Sequence, residues 1–128
     1  MSNITILKKK IKNSNDNKDI KISFIIPCKN EQDNIKMFEQ KIIENTDSNE
    51  YLFGDDKSTD ETSNEIEKLI KKLTEKKIIK YKGPGICKSE NVYKGIDLSD
   101  GDIIVIYDAD LTVSFNDVKF SIDILKNT

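Results

Sequence analysis

The residues best suited to chemistry are acidic, and they recur just after short apolar runs. Asp108-Ala109-Asp110 follows the run Ile103–Tyr107, and Asp55-Asp56-Lys57-Ser58-Thr59-Asp60 follows Tyr51-Leu52-Phe53. Pro27-Cys28-Lys29-Asn30-Glu31 closes a third run, and Gly83-Pro84-Gly85 with Lys88 comes after a fourth. An Asp-x-Asp at a strand end offers hard oxygen ligands, which suit Mg²⁺ or Mn²⁺ with a bound diphosphate completing the shell. Such an ion would bridge a polyanion to an acidic surface and stabilise charge on a departing diphosphate. Each element also has a purely structural reading. Asp55-Asp56 could be an Asx-turn, Ser58 and Glu61 a helix cap, Lys29 and Lys88 solvated lysines, and the glycine loop a plain turn.

The composition removes several other chemistries. There is no His, which excludes Ser-His-Asp and Cys-His arrangements and any His-ligated metal. The net charge of −2 comes from 21 basic residues, all Lys, against 23 acidic ones, which gives no reason to expect a nucleic-acid partner. Hydrophobic residues make up 36%, but they are grouped in compact runs, so the chain reads as globular. Its 128 residues suit one domain. Cys28 and Cys87 lack metal-ligand spacing and read as free thiols. The longest apolar run, Ile103–Tyr107, is far too short to span a bilayer. The first residues place their lysines after the apolar stretch, the reverse of a signal peptide, so a cytoplasmic location is expected.

The elements that must position these residues alternate. Residues 1–19 form a separate zone, with a short strand at Ile4-Thr5-Ile6-Leu7 and a polar linker over 13–19. From residue 20, strands are expected over 20–26 (stopped by Pro27), 51–53, 77–81 and 103–107. Between and after them come four helices. The first is capped by Asp33 or Asn34 and buries Ile35, Phe38 and Ile42; the second opens on a Ser58/Glu61 capping box and buries Ile66, Leu69, Ile70 and Leu73. The third is capped by Ser89 and carries Val92, Tyr93 and Ile96, and the last is capped by Ser114 and carries Val118, Ile122 and Leu125. Strand-helix alternation at this spacing implies right-handed crossovers and a mainly parallel α/β sheet of about four strands. Ligands of such sheets sit at the carboxyl ends of the strands. That edge would gather up to five carboxylates, from Asp55, Asp56, Asp60, Asp108 and Asp110.

Three segments carry a family resemblance. Ile22 to Glu31 (ISFIIPCKNE), Tyr51 to Thr62 (YLFGDDKSTDET) and Gly101 to Leu111 (GDIIVIYDADL) resemble, in order and spacing, the first strand, the Asp-Asp-Gly-Ser-Thr-Asp turn and the Asp-x-Asp strand of family 2 glycosyltransferases. The likeness runs from about residue 20 to residue 128. The Asp-Ala-Asp-Leu form is nearest to polyprenyl- or dolichyl-phosphate sugar synthases. The resemblance implies a GT-A, Rossmann-like, three-layer α/β/α half-domain over 20–128 and inverting, metal-dependent transfer from a nucleotide diphosphate sugar. It implies donor contacts at Pro27, Cys28, Lys29, Glu31, Asp56, Lys88, Asp108 and Ala109. Asp56 would accept a hydrogen bond from the base, and Asp108 and Asp110 would hold Mg²⁺ or Mn²⁺. The donor would be UDP- or GDP-linked and the acceptor a lipid phosphate or a glycan, in cell-envelope polysaccharide synthesis at the inner face of the membrane.

The sequence departs from the family in five places. Lys29 stands for the frequent base-stacking Tyr, Lys57 for the turn Gly, and Thr112 for the Gln of the lipid-phosphate branch. The glycine loop is altered around Cys87-Lys88-Ser89. The chain is also short: family domains run well past 200 residues and place the catalytic base and acceptor site in a second half, which is expected to be absent here. The fragment alone is therefore expected to be inactive or a slow donor hydrolase, with self-association through an exposed apolar edge. The alternative reading is a non-catalytic nucleotide-sugar or metal-binding module. A phosphoacceptor domain would want its acidic pair after the first strand. A sugar nucleotidyltransferase would want a Gly-rich basic loop there.

Overall fold

The computed structural model describes residues 4–8, 20–45, 49–111, 114, 115, 117, 118, 120 and 122. The expected 13–19 linker, Thr112 and Leu125 lie outside them. Nine elements follow in order: β1 (Ile4–Lys8), β2 (Ile22–Cys28), α1 (Gln32–Lys36), α2 (Phe38–Glu44), β3 (Asn49–Asp55), α3 (Thr62–Lys72), β4 (Lys77–Lys82), α4 (Lys88–Leu98) and β5 (Ile103–Tyr107). Residues 115, 117, 118, 120 and 122 are helical beyond them. No helix among the described residues is long and apolar enough to cross a membrane.

The sheet order is β1-β5-β2-β3-β4. The expected mainly parallel α/β sheet is present, but with five strands. The fifth is β1, whose residues the sequence sets apart: it pairs antiparallel with β5, Ile6 opposite Val105. β2 pairs in parallel with β3 and β5, and β3 with β4. From β2 the chain steps outward through β3 to β4, then returns to lay β5 on the other side of β2. Right-handed crossovers running in opposite directions put their helices on opposite faces. One face, built from Phe24, Ile26, Tyr51, Phe53, Val105 and Tyr107, packs Ile35, Phe38, Ile42, Ile66 and Leu69 from α1, α2 and α3. Phe115 lies at its centre, against the rings of Phe24, Phe38, Tyr51 and Tyr107. The other face receives α4. Gly54 permits this approach, because a Cβ there would collide with the Tyr81 ring and Asn91 Oδ1. The strand order reverses between β2 and β5, and in doubly wound sheets the crevice at that point binds ligands.

Local details depart from the sequence reading. β2 is not stopped by Pro27 but runs on to Cys28. Its pairing with β5 ends at Ile25, so a residue without an N–H is tolerated where one flank is unpaired. The first expected helix breaks at Met37, whose N–H reaches back only three residues to Asn34 O at 3.1 Å. Its cap is Glu31, not Asp33 or Asn34. The Ser58/Glu61 capping box does not form: Asp60 Oδ1 instead accepts the Thr62 N–H at 2.9 Å, and Ser58 Oγ serves another loop. α4 starts at Lys88 and buries Asn91, Val92 and Gly95, while Tyr93 is exposed. Ser114 does cap its helix, with Oγ accepting the Asp117 N–H at 3.2 Å.

Candidate donor-binding cleft

At the carboxyl ends of β2 and β5 the sheet opens into a cleft of about 410 Å³. Alternation builds its acidic wall. Tyr107, Ala109 and Leu111 are buried in the core, so Asp108 and Asp110 between them are held away from it. The Leu111 N–H closes this turn on Asp108 O at 3.0 Å. Lys88, in the first turn of α4, makes an ion pair with Asp108 Oδ1 across the cleft.

The opposite wall comes from the ends of β2 and β3. The Asp56 N–H donates to Cys28 O at 2.9 Å, which locks the two strand ends side by side. Asp56 is buried, and its Oδ1 accepts the Gly85 N–H at 2.6 Å. The Gly83 N–H donates to Asp55 O at 2.9 Å, so β3 holds the whole 83–87 loop. Gly85 has φ +77, and a Cβ on it would lie 2.6 Å from Lys57 Cδ. Lys57 itself has φ 58. The turn demands left-handed backbone there, which is why the Lys57 departure falls on a position suited to glycine.

Behind this wall the β2 and β3 loops are laced together. Ser58 Oγ accepts the Asn30 N–H at 2.9 Å, and Asn30 Oδ1 accepts the Thr59 N–H at 2.8 Å. Thr62 Oγ1 accepts the Glu31 N–H at 2.8 Å, and Gln32 Oε1 the Glu61 N–H at 2.9 Å. These bonds fix Lys29 and Glu31 relative to Asp56, although 25 or more residues separate them in sequence.

The structure brings Pro27, Cys28, Lys29, Glu31, Asp56, Lys88, Asp108, Ala109 and Asp110 to this one cleft. Of the five carboxylates expected at the sheet edge, Asp56, Asp108 and Asp110 line the cleft. Asp55 and Asp60 are not in the lining: Asp55 Oδ1 accepts the Ser58 N–H, and Asp60 Oδ1 accepts the Thr62 N–H at the start of α3. The Thr62 hydroxyl, donating at 2.5 Å, holds the Asp60 carboxyl below its usual range. The lining instead sets four carboxylates, Glu31, Asp56, Asp108 and Asp110, against the ammonium groups of Lys29 and Lys88. Burial, then the nearby Asp55 and Glu31 charges, push the Cys28 thiol well above its ordinary value, so it stays protonated. Among the described residues no three His, Cys, Asp or Glu side chains converge as a metal cage.

Sequence reasoning places the glycine loop at this edge but names neither Gly85 nor Cys87 as a donor contact, and it missed Ile86 and Asn91 in the lining. Asn91 Nδ2 donates to Gly54 O at 3.0 Å, while its buried Oδ1 has no hydrogen-bond partner among the described residues. A signal existed: an Asn next to Val92 on the core side of a helix is out of place unless its amide is used.

Residues 23–127 match the family described as Glycosyl transferase family 2. Comparison with curated protein sequences found no significant match. Among solved structures, the mannosyltransferase PcManGT from Pyrobaculum calidifontis, in complex with GDP-Man and Mn²⁺, superposes with a TM-score of 0.68 at 21% identity, over 73% of this chain and 28% of that one. S. aureus TarS (1–349) gives 0.67 at 19% identity, over 84% and 33%. Glucosyl-3-phosphoglycerate synthase from Mycobacterium tuberculosis, with Mn²⁺, UDP and glucosyl-3-phosphoglycerate, gives 0.53 at 21% identity, over 72% and 34%. The shared fold is GT-A, and this chain spans about a third of the length of those structures.

Proposed function

The chain belongs to glycosyl transferase family 2, and from that premise we propose that its cleft holds a nucleotide diphosphate sugar with Mg²⁺ or Mn²⁺ for inverting transfer of the sugar to an acceptor. The observation that carries this reading is the convergence of four strand-end segments, from β2, β3, the 83–88 loop and β5, on one cleft at the sheet's switch point.

The residues fit the ion. Two hard carboxylates, Asp108 and Asp110, match a divalent cation that takes one or two protein carboxylates and fills its shell with phosphate oxygens and water. When bound, such an ion would supply Lewis-acid stabilisation of charge on a departing diphosphate. Pro27, Cys28 and Lys29 would line the base, and the Asp56 carboxylate would accept its N–H. Lys88 would add positive charge at the diphosphate, and Asp108 and Ala109 would face the ribose or sugar. Inversion needs a base to take the acceptor's proton as it attacks the anomeric carbon. That task is assigned to no residue in this chain, and the acceptor is proposed to be a lipid phosphate or a glycan, met at the inner face of the membrane.

Calorimetric titration with UDP, GDP and their sugar conjugates, with and without Mn²⁺, tests the reading on wild type and Asp110→Asn. Metal-dependent binding lost in the variant is expected, and it names the base. A folded wild type that binds none of them under any condition refutes the donor-site assignment.

A further inference from the structure

Lys41 lies outside every motif, in the last turn of α2. Its Nζ donates to Leu111 O at 2.6 Å and to the Tyr107 hydroxyl at 3.2 Å. It also stands 5.0 Å from the Phe38 ring centroid and 5.3 Å from that of Tyr107. The ammonium is partly buried, and burial lowers its pKa from the ordinary lysine value. A lysine is normally free to reach water, so one held here by four contacts needs a reason.

Its two hydrogen-bond partners supply one. Tyr107 immediately precedes Asp108-Ala109-Asp110, and Leu111 immediately follows it. Leu111 is thus tied at both ends, its N–H to Asp108 O and its carbonyl to Lys41 at 2.6 Å and, at the longer distance of 3.5 Å, to the Tyr107 hydroxyl. One ammonium from a different helix, outside the cleft lining, joins the two residues that flank the acidic turn. We infer that Lys41 is a positioning residue for the metal-binding turn, holding Asp108 and Asp110 at the spacing the ion needs without touching ion or nucleotide. The inference rests on the donor-site reading above. Arg or Lys can make this clasp; Met keeps the apolar stem but has no donor.

The test compares wild type, Lys41→Met and Lys41→Arg by nucleotide titration with and without Mn²⁺, together with amide exchange over 107–111. Lys41→Met is expected to lower the gain in nucleotide affinity that Mn²⁺ provides by about tenfold, as loss of one charged hydrogen bond would. Its metal-free affinity should stay at the wild-type value, and the Leu111 amide should exchange faster. Lys41→Arg should restore most of the gain. A general structural role would instead lower both affinities together, and that result overturns the inference. So does a folded Lys41→Met with an unchanged Mn²⁺ gain. If Lys41→Met does not fold, Lys41→Gln, too short to reach Leu111 O, carries the same comparison. A wild type without Mn²⁺-dependent binding overturns the donor-site reading and this inference with it; normal wild-type binding with an indifferent variant overturns this inference alone.

Discussion

Asp56 is the residue whose replacement tests the construction of the cleft most directly. Its carboxylate both lines the cleft and accepts the Gly85 N–H at 2.6 Å. Asp56→Ala removes a hydrogen bond to a charged acceptor, worth about 1.5–3 kcal/mol. The freed N–H adds no penalty, because Gly85 is exposed and water takes the place of the carboxylate. Removing a buried charge also returns part of its desolvation cost, which brings the net loss to roughly 1–2 kcal/mol. For a domain of this size each kcal/mol shifts the melting temperature by about 4 °C, so a fall of roughly 4–8 °C is expected. Asp56→Asn keeps a neutral acceptor and should lose about half as much. The loop should register the change locally. Gly83 to Lys88 would hang on the Gly83–Asp55 bond alone among the backbone contacts to β3, and the Gly85 amide should exchange roughly tenfold faster. Thermal denaturation and residue-resolved exchange make the measurement, and nucleotide titration should show both variants weakened by about tenfold or more. An Asp56→Ala protein with wild-type melting and an unchanged Gly85 amide would refute the claim that Asp56 anchors this loop.

Other outcomes follow from the packing. In the native protein one thiol should react with a disulfide reagent, exposed Cys87, and the second, buried Cys28, only on unfolding; two rapid equivalents would contradict the burial. The raised Cys28 pKa has a linkage consequence: its stabilising share is complete below the unfolded thiol value of 9.0 and is lost as pH rises through the higher folded value. Burial likewise raises the Tyr107 phenol to about 12, so stability should decline on the alkaline side from about pH 9, and less steeply in Cys28→Ala. Gly54→Ala should destabilise by about 1–3 kcal/mol through collision with Tyr81 and Asn91, seen as a lower denaturation midpoint.

Most of the scaffold was legible because its signals are local. Short apolar runs, the longest being Ile103–Tyr107, separated by helical spacing such as Ile35, Phe38 and Ile42, impose alternating strands and helices whatever lies elsewhere. The acidic segments fall just after those runs, and parallel pairing then requires them to share an edge. Side chains at period two in Tyr107 to Leu111 already separate the buried residues from Asp108 and Asp110.

Only the tertiary structure decided the rest. Asp56 and Asp60 are four residues apart and chemically alike, yet one lines the cleft and the other bonds the first residue of α3. Asp60 meets the local Thr62 N–H and hydroxyl, whereas Asp56 meets the Gly85 N–H only because the 83–87 loop folds over the end of β3. The face that α4 presents was misread because Gly54 lets the helix come close and Asn91 finds Gly54 O. The local pattern of residues 4–7 announces a strand, but its antiparallel pairing with β5 rests on the flank that β5 leaves open beside β2. Lys41 looks like any helical lysine until Leu111, 70 residues on, brings it a carbonyl. Periodicity encodes which side chains leave water; which polar atoms they then meet is set by distances between elements, and those exist only once the core has packed.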